Sequence, residues 1–77
     1  MNNKTTKSTT EKIYSLGRNI YIKRRELHFS QNVFAEKIGI SREHLAKIET
    51  AKRSVSLDLL IVIAETLNVK VKDLIDF

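Results

Sequence analysis

The stretch that decides the fold is QNVFAEKIGISREHLAKI, residues 31–48. Its apolar residues have the spacing of two helical faces, with Phe34, Ala35 and Ile38 on the first and Leu45 and Ile48 on the second. Gly39 lies between them and tolerates the left-handed backbone conformation that other residues resist. Ser41 is a favourable N-cap for the second helix. The stretch therefore predicts two short helices joined by a tight turn.

Two short helices around a tight turn are a common way for a protein to present a helix to DNA. The small side chain of Ala35 would let the two helices cross near a right angle, because a larger one would push them apart. Four residues would face outward from the second helix: Arg42, Glu43, Ala46 and Lys47. This second helix is therefore the candidate recognition helix.

The composition favours one small domain with a polyanionic partner. The chain has 77 residues, 14 Lys plus Arg against 9 Asp plus Glu, a net charge of +5 and a pI near 9.8. Cysteine is absent, which excludes disulfides and thiolate zinc sites and favours a reducing, cytoplasmic setting. We expect no signal peptide and no membrane partner, since the longest apolar stretch, residues 59–64, is too short to span a bilayer.

The polar and basic start of the chain predicts a flexible tail over residues 1–9, followed by the domain over residues 10–77. Ser8 and Glu11 have capping-box spacing at the start of a first helix. An apolar stripe with helical period follows, formed by Ile13, Leu16, Ile20 and Leu27. Gly17 interrupts the helix propensity and predicts either a kink or the true start of the regular helix.

The remaining residues predict three further cap sites and an all-α fold of five helices. Each cap is flanked by an apolar pair in staple spacing: Phe29 and Phe34 around Ser30, Ile40 and Leu45 around Ser41, Val55 and Leu60 around Ser56. The fourth helix would carry Leu57, Leu60, Ile63, Ala64 and Leu67 inward and end at Asn68. A short fifth helix is indicated by Val69, Val71, Leu74 and Ile75. No strand-like alternation persists.

Two opposite charges fall at buried positions of this pattern. Arg24 is in phase with the apolar stripe of the first helix, and Glu49 adjoins Ile48 on the inward face of the third. A lone buried charge is costly, whereas a bidentate arginine–carboxylate pair satisfies both groups. We therefore predict a structural ion pair between Arg24 and Glu49. The alternative is that both side chains extend to solvent.

With these features in place, residues 18–77, about four fifths of the chain, resemble the Cro/repressor-type, or XRE-like, helix-turn-helix proteins. The matching residues are Ile20, Arg24, Gln31, Ala35, Gly39, Ile40, Leu45, Ile48, Glu49, Leu60, Ala64 and Leu67. The resemblance implies a five-helix, lambda-repressor-like DNA-binding domain in which helices 2 and 3 form the helix-turn-helix. It also implies that the helix over residues 41–50 enters the major groove, that Gln31 grips a phosphate, and that Arg24 and Glu49 are the structural ion pair.

The chain departs from the family pattern at two positions. Ala51 stands where the family usually has a glycine after the recognition helix, which leaves the geometry of that loop open. Lys70 stands where a small polar cap is expected before the fifth helix, which leaves the stability of that helix open.

The candidate base-contacting residues lie near the N-terminal end of the recognition helix: Ser41, Arg42, Glu43 and His44, with Lys47 one turn on. Arg42 could form a bidentate contact to guanine or, equally, clamp a phosphate. Glu43 could accept from a cytosine amino group, or it could orient the neighbouring arginine or stay solvated.

The candidate DNA-backbone residues flank the recognition helix at its entry and exit: Gln31, Asn32, Lys52 and Arg53. The run Lys23-Arg24-Arg25 looks like a nucleic-acid patch, but Arg24 is expected to be internal. The two histidines, His28 and His44, belong to separate segments and have no cysteine beside them, so we expect no metal site and no cofactor. No catalytic constellation is recognisable, and an enzyme is not expected.

An apolar ridge on the fourth helix and the apolar end of the chain predict a dimer interface formed by Leu59, Val62, Ile75 and Phe77. The alternative is that these residues complete the core. The predicted function is a homodimeric transcriptional regulator of a bacterium or phage, such as a repressor or a restriction–modification controller, that binds a palindrome in double-stranded DNA. The alternative class is an antitoxin or adaptor whose main partner is another protein.

Overall fold

A computed structural model describes residues 8–77, and this part of the chain consists of five helices and no strands. The helices are α1 (Thr9–Glu26), α2 (Gln31–Ile38), α3 (Arg42–Glu49), α4 (Leu57–Leu67) and α5 (Val71–Leu74). The predicted all-α fold of five helices is confirmed. Residues 1–7 lie outside the described residues, so the tail over residues 1–9 stays a prediction. Ser8 and Thr9 already form the cap and first residue of α1.

Serine side chains begin the four longer helices. The hydroxyl oxygens of Ser8, Ser30, Ser41 and Ser56 each accept the backbone N–H three residues on, over 3.0–3.2 Å. The Glu11 carboxylate accepts from the Ser8 backbone N–H at 2.8 Å, which completes the predicted capping box. The staple around Ser30 also forms, with ring centroids of Phe29 and Phe34 5.8 Å apart. The predicted caps are confirmed.

The core lies where α1, α2, α3 and α4 meet, and α5 closes it. Its buried apolar residues are Ile20, Phe34, Ala35, Ile38, Leu45, Ile48, Leu60, Ile63, Ala64, Leu67 and Leu74. Two residues predicted to face inward do not. Leu27 is 45% exposed because α1 ends one residue earlier and Leu27 caps it. Leu57 is 67% exposed because it is the first residue of α4, and Leu60, nearly one turn on, takes the inward position.

Gly17 does not start α1, because it lies inside the helix that runs from Thr9 to Glu26. The predicted helix start at this position was wrong, and a contact with α3 explains the glycine. A Cβ atom at residue 17 would collide with the backbone oxygen of Ile48 and would lie 2.9 Å from that of Glu49. The glycine therefore lets α1 lie directly against the C-terminal end of α3.

The two departures from the family pattern are accommodated locally. Ala51 adopts the left-handed conformation, with φ of 62°, so the loop after α3 keeps the geometry that glycine would give at some cost in strain. Lys70 makes no side-chain cap to α5, but its backbone N–H donates to the Asp73 carboxylate at 2.9 Å. Gly39 and Asn68 end α2 and α4 in the same left-handed conformation.

Asn19 of α1 holds the C-terminal segment. Its side-chain amide Nδ2 donates to the backbone oxygen of Leu74 at 2.9 Å and to the Asp76 carboxylate at 3.0 Å. This pair of contacts was not anticipated, since it joins residues 55 and 57 positions apart in the chain. It fixes the direction in which the chain leaves α5.

Arg24 and Glu49 form a bidentate ion pair in the interior, where the two residues are 4% and 7% exposed. The Arg24 Nε and Nη2 atoms donate to the two Glu49 carboxylate oxygens at 2.7 and 3.1 Å. The Arg24 Nη1 atom donates to the backbone oxygen of Phe29 at 2.7 Å. The pair therefore ties α1 to the end of α3 and to the residue before the cap of α2.

Replacing Gly17 by alanine is expected to destabilise the fold by about 1–3 kcal/mol. The added methyl group meets backbone atoms of α3, which cannot move aside cheaply, and this cost exceeds the gain of about 1 kcal/mol in helix propensity. Urea unfolding measures the change. The matched control is Thr10→Ala at an exposed position of α1, where we expect a change within about 0.5 kcal/mol. A stabilised Gly17→Ala protein would contradict the close approach of α1 to α3.

Replacing Glu49 by alanine is expected to cost about 3–5 kcal/mol of unfolding free energy, because it leaves the Arg24 guanidinium buried without a counter-charge. Thermal and urea unfolding measure this loss. Glu43→Ala removes a carboxylate from the same helix at an exposed site and should change stability by no more than about 0.5 kcal/mol. Equal stability of the two variants would mean that the ion pair is solvated.

Candidate DNA-binding surface

The candidate recognition helix α3 is held by its inward face and presents its opposite face to solvent. Leu45, Ile48 and Glu49 are buried, and α3 packs against both α1 and α2. Four of the five predicted base-contacting residues are exposed, namely Ser41, Arg42, Glu43 and Lys47. His44 is half-buried. The exposed row begins at the N-terminal end of α3, which is the end that approaches base edges in helix-turn-helix proteins.

Arg42 and Glu43 lie at the tip of this surface and contact each other loosely. The Arg42 Nη2 atom is 3.8 Å from a Glu43 carboxylate oxygen, and their side chains are 48% and 73% exposed. The contact is longer than a hydrogen bond, so neither side chain is fixed by it. Ser41 differs, because its hydroxyl oxygen accepts the His44 backbone N–H at 3.0 Å. Its hydroxyl hydrogen is what remains to donate to a ligand.

The predicted DNA-backbone residues lie at both ends of the helix-turn-helix. Asn32, Lys52 and Arg53 are exposed, on the first turn of α2 and on the loop after α3. Gln31 is half-buried, and its side-chain Nε2 donates to a Glu49 carboxylate oxygen at 3.0 Å. This contact links the start of α2 to the buried ion pair. The sequence pattern did not indicate it, because Gln31 is uncharged and was assigned to a phosphate contact.

Tyr21 of α1 makes contacts that were not predicted from the sequence. Its ring centroid lies 5.4 Å from the guanidinium carbon of Arg24 and 5.5 Å from that of Arg25, distances typical of cation–π contacts. The Arg25 Nη1 atom also donates to the Tyr21 hydroxyl at 2.8 Å. The sequence could have indicated these contacts, because Arg24 and Arg25 follow Tyr21 by three and four residues in α1, the spacings at which helical side chains meet.

The predicted dimer residues share one property, partial exposure of large apolar side chains. Val62, Ile75 and Phe77 are 39%, 39% and 45% exposed, whereas Leu59 is half-buried and packs partly against the core. Ile61 on α4, at 42%, adds exposed apolar surface that the sequence analysis did not include.

Other kinds of site find no support in the described part of the chain. Among residues 8–77, no three His, Cys, Asp or Glu side chains are grouped so that they could hold a metal ion. None of the described helices combines the length and the apolar character needed to cross a membrane.

Solved structures with the same architecture are regulators. The chain superimposes on the restriction–modification controller protein C.AhdI from Aeromonas hydrophila with a TM-score of 0.77 at 24% identity, covering 80% of this chain and 94% of that one. It matches SinR, the master regulator for biofilm formation solved in complex with DNA, with a TM-score of 0.72 at 30% identity over 77% and 95% of the two chains. SinR in complex with SinI matches with a TM-score of 0.75 at 31% identity over 79% and 60%.

No curated protein sequence matches the chain. The sequence model of the HTH_3 helix-turn-helix family matches residues 20–74, which include all of α2, α3, α4 and α5. The chain therefore belongs to the HTH_3 family of XRE-type helix-turn-helix DNA-binding regulators.

Proposed function

We propose that this chain is a sequence-specific transcriptional regulator that binds a palindromic operator as a homodimer, with α3 in the major groove. The observation that carries the proposal is the division of α3 into a buried inward face and an exposed face with Arg42, Glu43 and Lys47. An α-helix with its side chains is about 10–12 Å in diameter, which suits a major groove about 12 Å wide.

In this proposal Arg42 makes the main base contact. Its guanidinium is half exposed at the N-terminal end of α3 and can donate two parallel hydrogen bonds to guanine O6 and N7. Ser41, Glu43, His44 and Lys47 complete the base-contacting set. Gln31, Asn32, Lys52 and Arg53 contact the phosphates on either side and fix how α3 lies in the groove.

The proposed dimer follows from the size of the domain. One recognition helix contacts few base pairs, and two of them must lie about 34 Å apart to contact successive major grooves on one face of DNA. The partly exposed side chains of Leu59, Val62, Ile75 and Phe77 provide an apolar surface for a two-fold contact. The Asn19 hydrogen bonds to the C-terminal segment would hold the last two of these residues in place.

The biological class we propose is a repressor or a restriction–modification controller that acts in the cytoplasm. This class is supported by the similarity to a restriction–modification controller, 94% of whose chain is covered. The second candidate is an antitoxin or adaptor that binds another protein through the same apolar surface. It is favoured by the similarity to SinR in its complex with SinI, and a co-encoded partner that co-purifies with the chain would distinguish it.

Arg42→Ala is expected to relax base preference at one operator position and to cost about 1–3 kcal/mol on the selected sequence. Lys52→Ala should instead weaken binding to every sequence alike and reduce the salt dependence, since it removes a phosphate contact. Binding is measured on a duplex selected from a random library and on a random-sequence duplex. Gln31→Ala should also weaken binding to every sequence alike, but it should leave the salt dependence unchanged, because the glutamine amide carries no charge. Equal losses on both duplexes for all three variants would contradict base contact by Arg42.

Leu59→Glu is expected to yield a monomer, because a carboxylate would be buried against its symmetry mate. Leu59 also packs on the core, so Val62→Glu, at a more exposed position of α4, serves as the second variant. Sedimentation measures the mass, and Val33→Glu on α2 is the matched control at 46% exposure. A folded Val62→Glu protein that stays dimeric and binds a palindrome normally would place the interface elsewhere.

A further inference from the structure

A cleft of about 310 Å³ lies between α1 and the two ends of the helix-turn-helix. It is lined by Tyr14, Arg18, Tyr21, Gln31, Glu49 and Thr50. The first three come from α1, Gln31 is the first residue of α2, and Thr50 caps the end of α3. Tyr14 and Arg18 precede the part of the chain that the HTH_3 family model covers, residues 20–74. The cleft is therefore lined both by residues of the helix-turn-helix and by two α1 residues that the family model does not cover.

The charge balance of this cleft favours an anion. The Glu49 carboxylate is already neutralised by the two hydrogen bonds from Arg24, and it also accepts from Gln31. Arg18 is exposed and takes part in none of the ion pairs among residues 8–77. The uncompensated charge of the lining is therefore positive, and its source is the Arg18 guanidinium.

Tyr21 lines the same cleft, and its hydroxyl keeps a hydrogen that it can donate. Its oxygen accepts from Arg25 Nη1 at 2.8 Å, so its own hydrogen is left for another acceptor. A hydroxyl that accepts from a cation becomes a stronger donor, because hydrogen bonds in a chain polarise one another. An acceptor-only group, such as a phosphate oxygen, is the complement of this hydroxyl and of Arg18.

We propose that this cleft binds one phosphate of the DNA backbone beside the base pairs that α3 contacts. Arg18 supplies the charge and the Tyr21 hydroxyl supplies a hydrogen bond. The inference rests on the proposed function, in which α3 and the start of α2 face DNA. Gln31 and Thr50 belong to both the cleft and the two ends of the helix-turn-helix, so a phosphate in the cleft continues the proposed backbone contacts along α1.

The test compares Arg18→Gln and Tyr21→Phe with Lys12→Gln, which removes a positive charge from α1 but does not line the cleft. Binding is measured against salt concentration on a duplex selected from a random library and on a random-sequence duplex. Arg18→Gln should reduce the slope of log affinity against log salt by about 0.9 and lower affinity about tenfold near 0.1 M salt on both duplexes. Tyr21→Phe keeps the ring over Arg24 and should lower affinity about tenfold without changing the slope.

A methylphosphonate scan identifies the phosphate. Replacing one charged phosphate at a time by a neutral methylphosphonate should weaken the wild-type protein at one position outside the contacted base pairs. The same replacement should have a smaller effect on the Arg18→Gln protein at that position, because the contact from Arg18 is already lost. Competition by inorganic phosphate at millimolar concentration should be absent, since the proposed ligand is held as part of the duplex.

The outcomes separate the two proposals. If the wild-type protein binds DNA and the Arg18→Gln and Lys12→Gln proteins show the same salt slope as each other, the phosphate site in the cleft is overturned. The proposed function then still stands. The phosphate site is also overturned if the methylphosphonate effect is as large in Arg18→Gln as in the wild-type protein. Competition with DNA by millimolar inorganic phosphate would overturn it too. A wild-type protein that binds neither duplex overturns both. Arg18 is exposed, so its replacement should leave thermal unfolding unchanged, which separates a lost contact from a lost fold.

Discussion

The buried pair of Arg24 and Glu49 is the interaction on which the arrangement of the helices depends. Burying two charges costs several kcal/mol, and the cost is offset only when the remaining donors and acceptors are satisfied. Here they are: Arg24 also donates to the Phe29 backbone oxygen, and Glu49 also accepts from Gln31. Among the described residues, no buried side-chain nitrogen or oxygen lacks a partner. One polar network therefore joins α1, the start of α2 and the end of α3.

Gly17 applies a second constraint to the same joint. Gly17 and Arg24 lie about two turns apart on one face of α1, and both contact the end of α3, the first through backbone and the second through its side chain. A backbone contact fixes the distance between the helices, and a bidentate ion pair fixes the angle between them. The exposed face of α3 is therefore oriented by residues of α1 that are buried from any ligand. These contacts explain how a helix of only 8 residues is held in one orientation.

The sequence predicted what local rules control. Serine caps, the left-handed position of Gly39 and most of the apolar spacing depend on neighbours within a few residues, and these were confirmed. The failures concern contacts between distant residues or helix ends. The need for Gly17 arises from a helix some thirty residues further on, and the Asn19 amide contacts Leu74 across 55 positions. Leu57 has the right spacing but begins its helix, where the core no longer reaches. The exposed surface of α3 and DNA as its partner were predicted from the sequence, but the base sequence of the operator was not.

The loose contact between Arg42 and Glu43 bears on how the proposed complex would form. An exposed ion pair contributes about 0–1 kcal/mol, whereas a bidentate arginine–guanine contact contributes about 1–3 kcal/mol of discrimination. With 3.8 Å between their charged atoms and both side chains largely in solvent, separating them costs the lesser amount. Arg42 can thus leave Glu43 for a base without a net loss. When Arg42 contacts a base in the proposed complex, the Glu43 carboxylate would lie close to the DNA phosphates. Its negative charge would be unfavourable there unless it accepts from a cytosine amino group or stays paired with Arg42. In the proposed complex Glu43 would therefore contribute to specificity, by penalising sequences that hold Arg42 away from it, rather than to affinity.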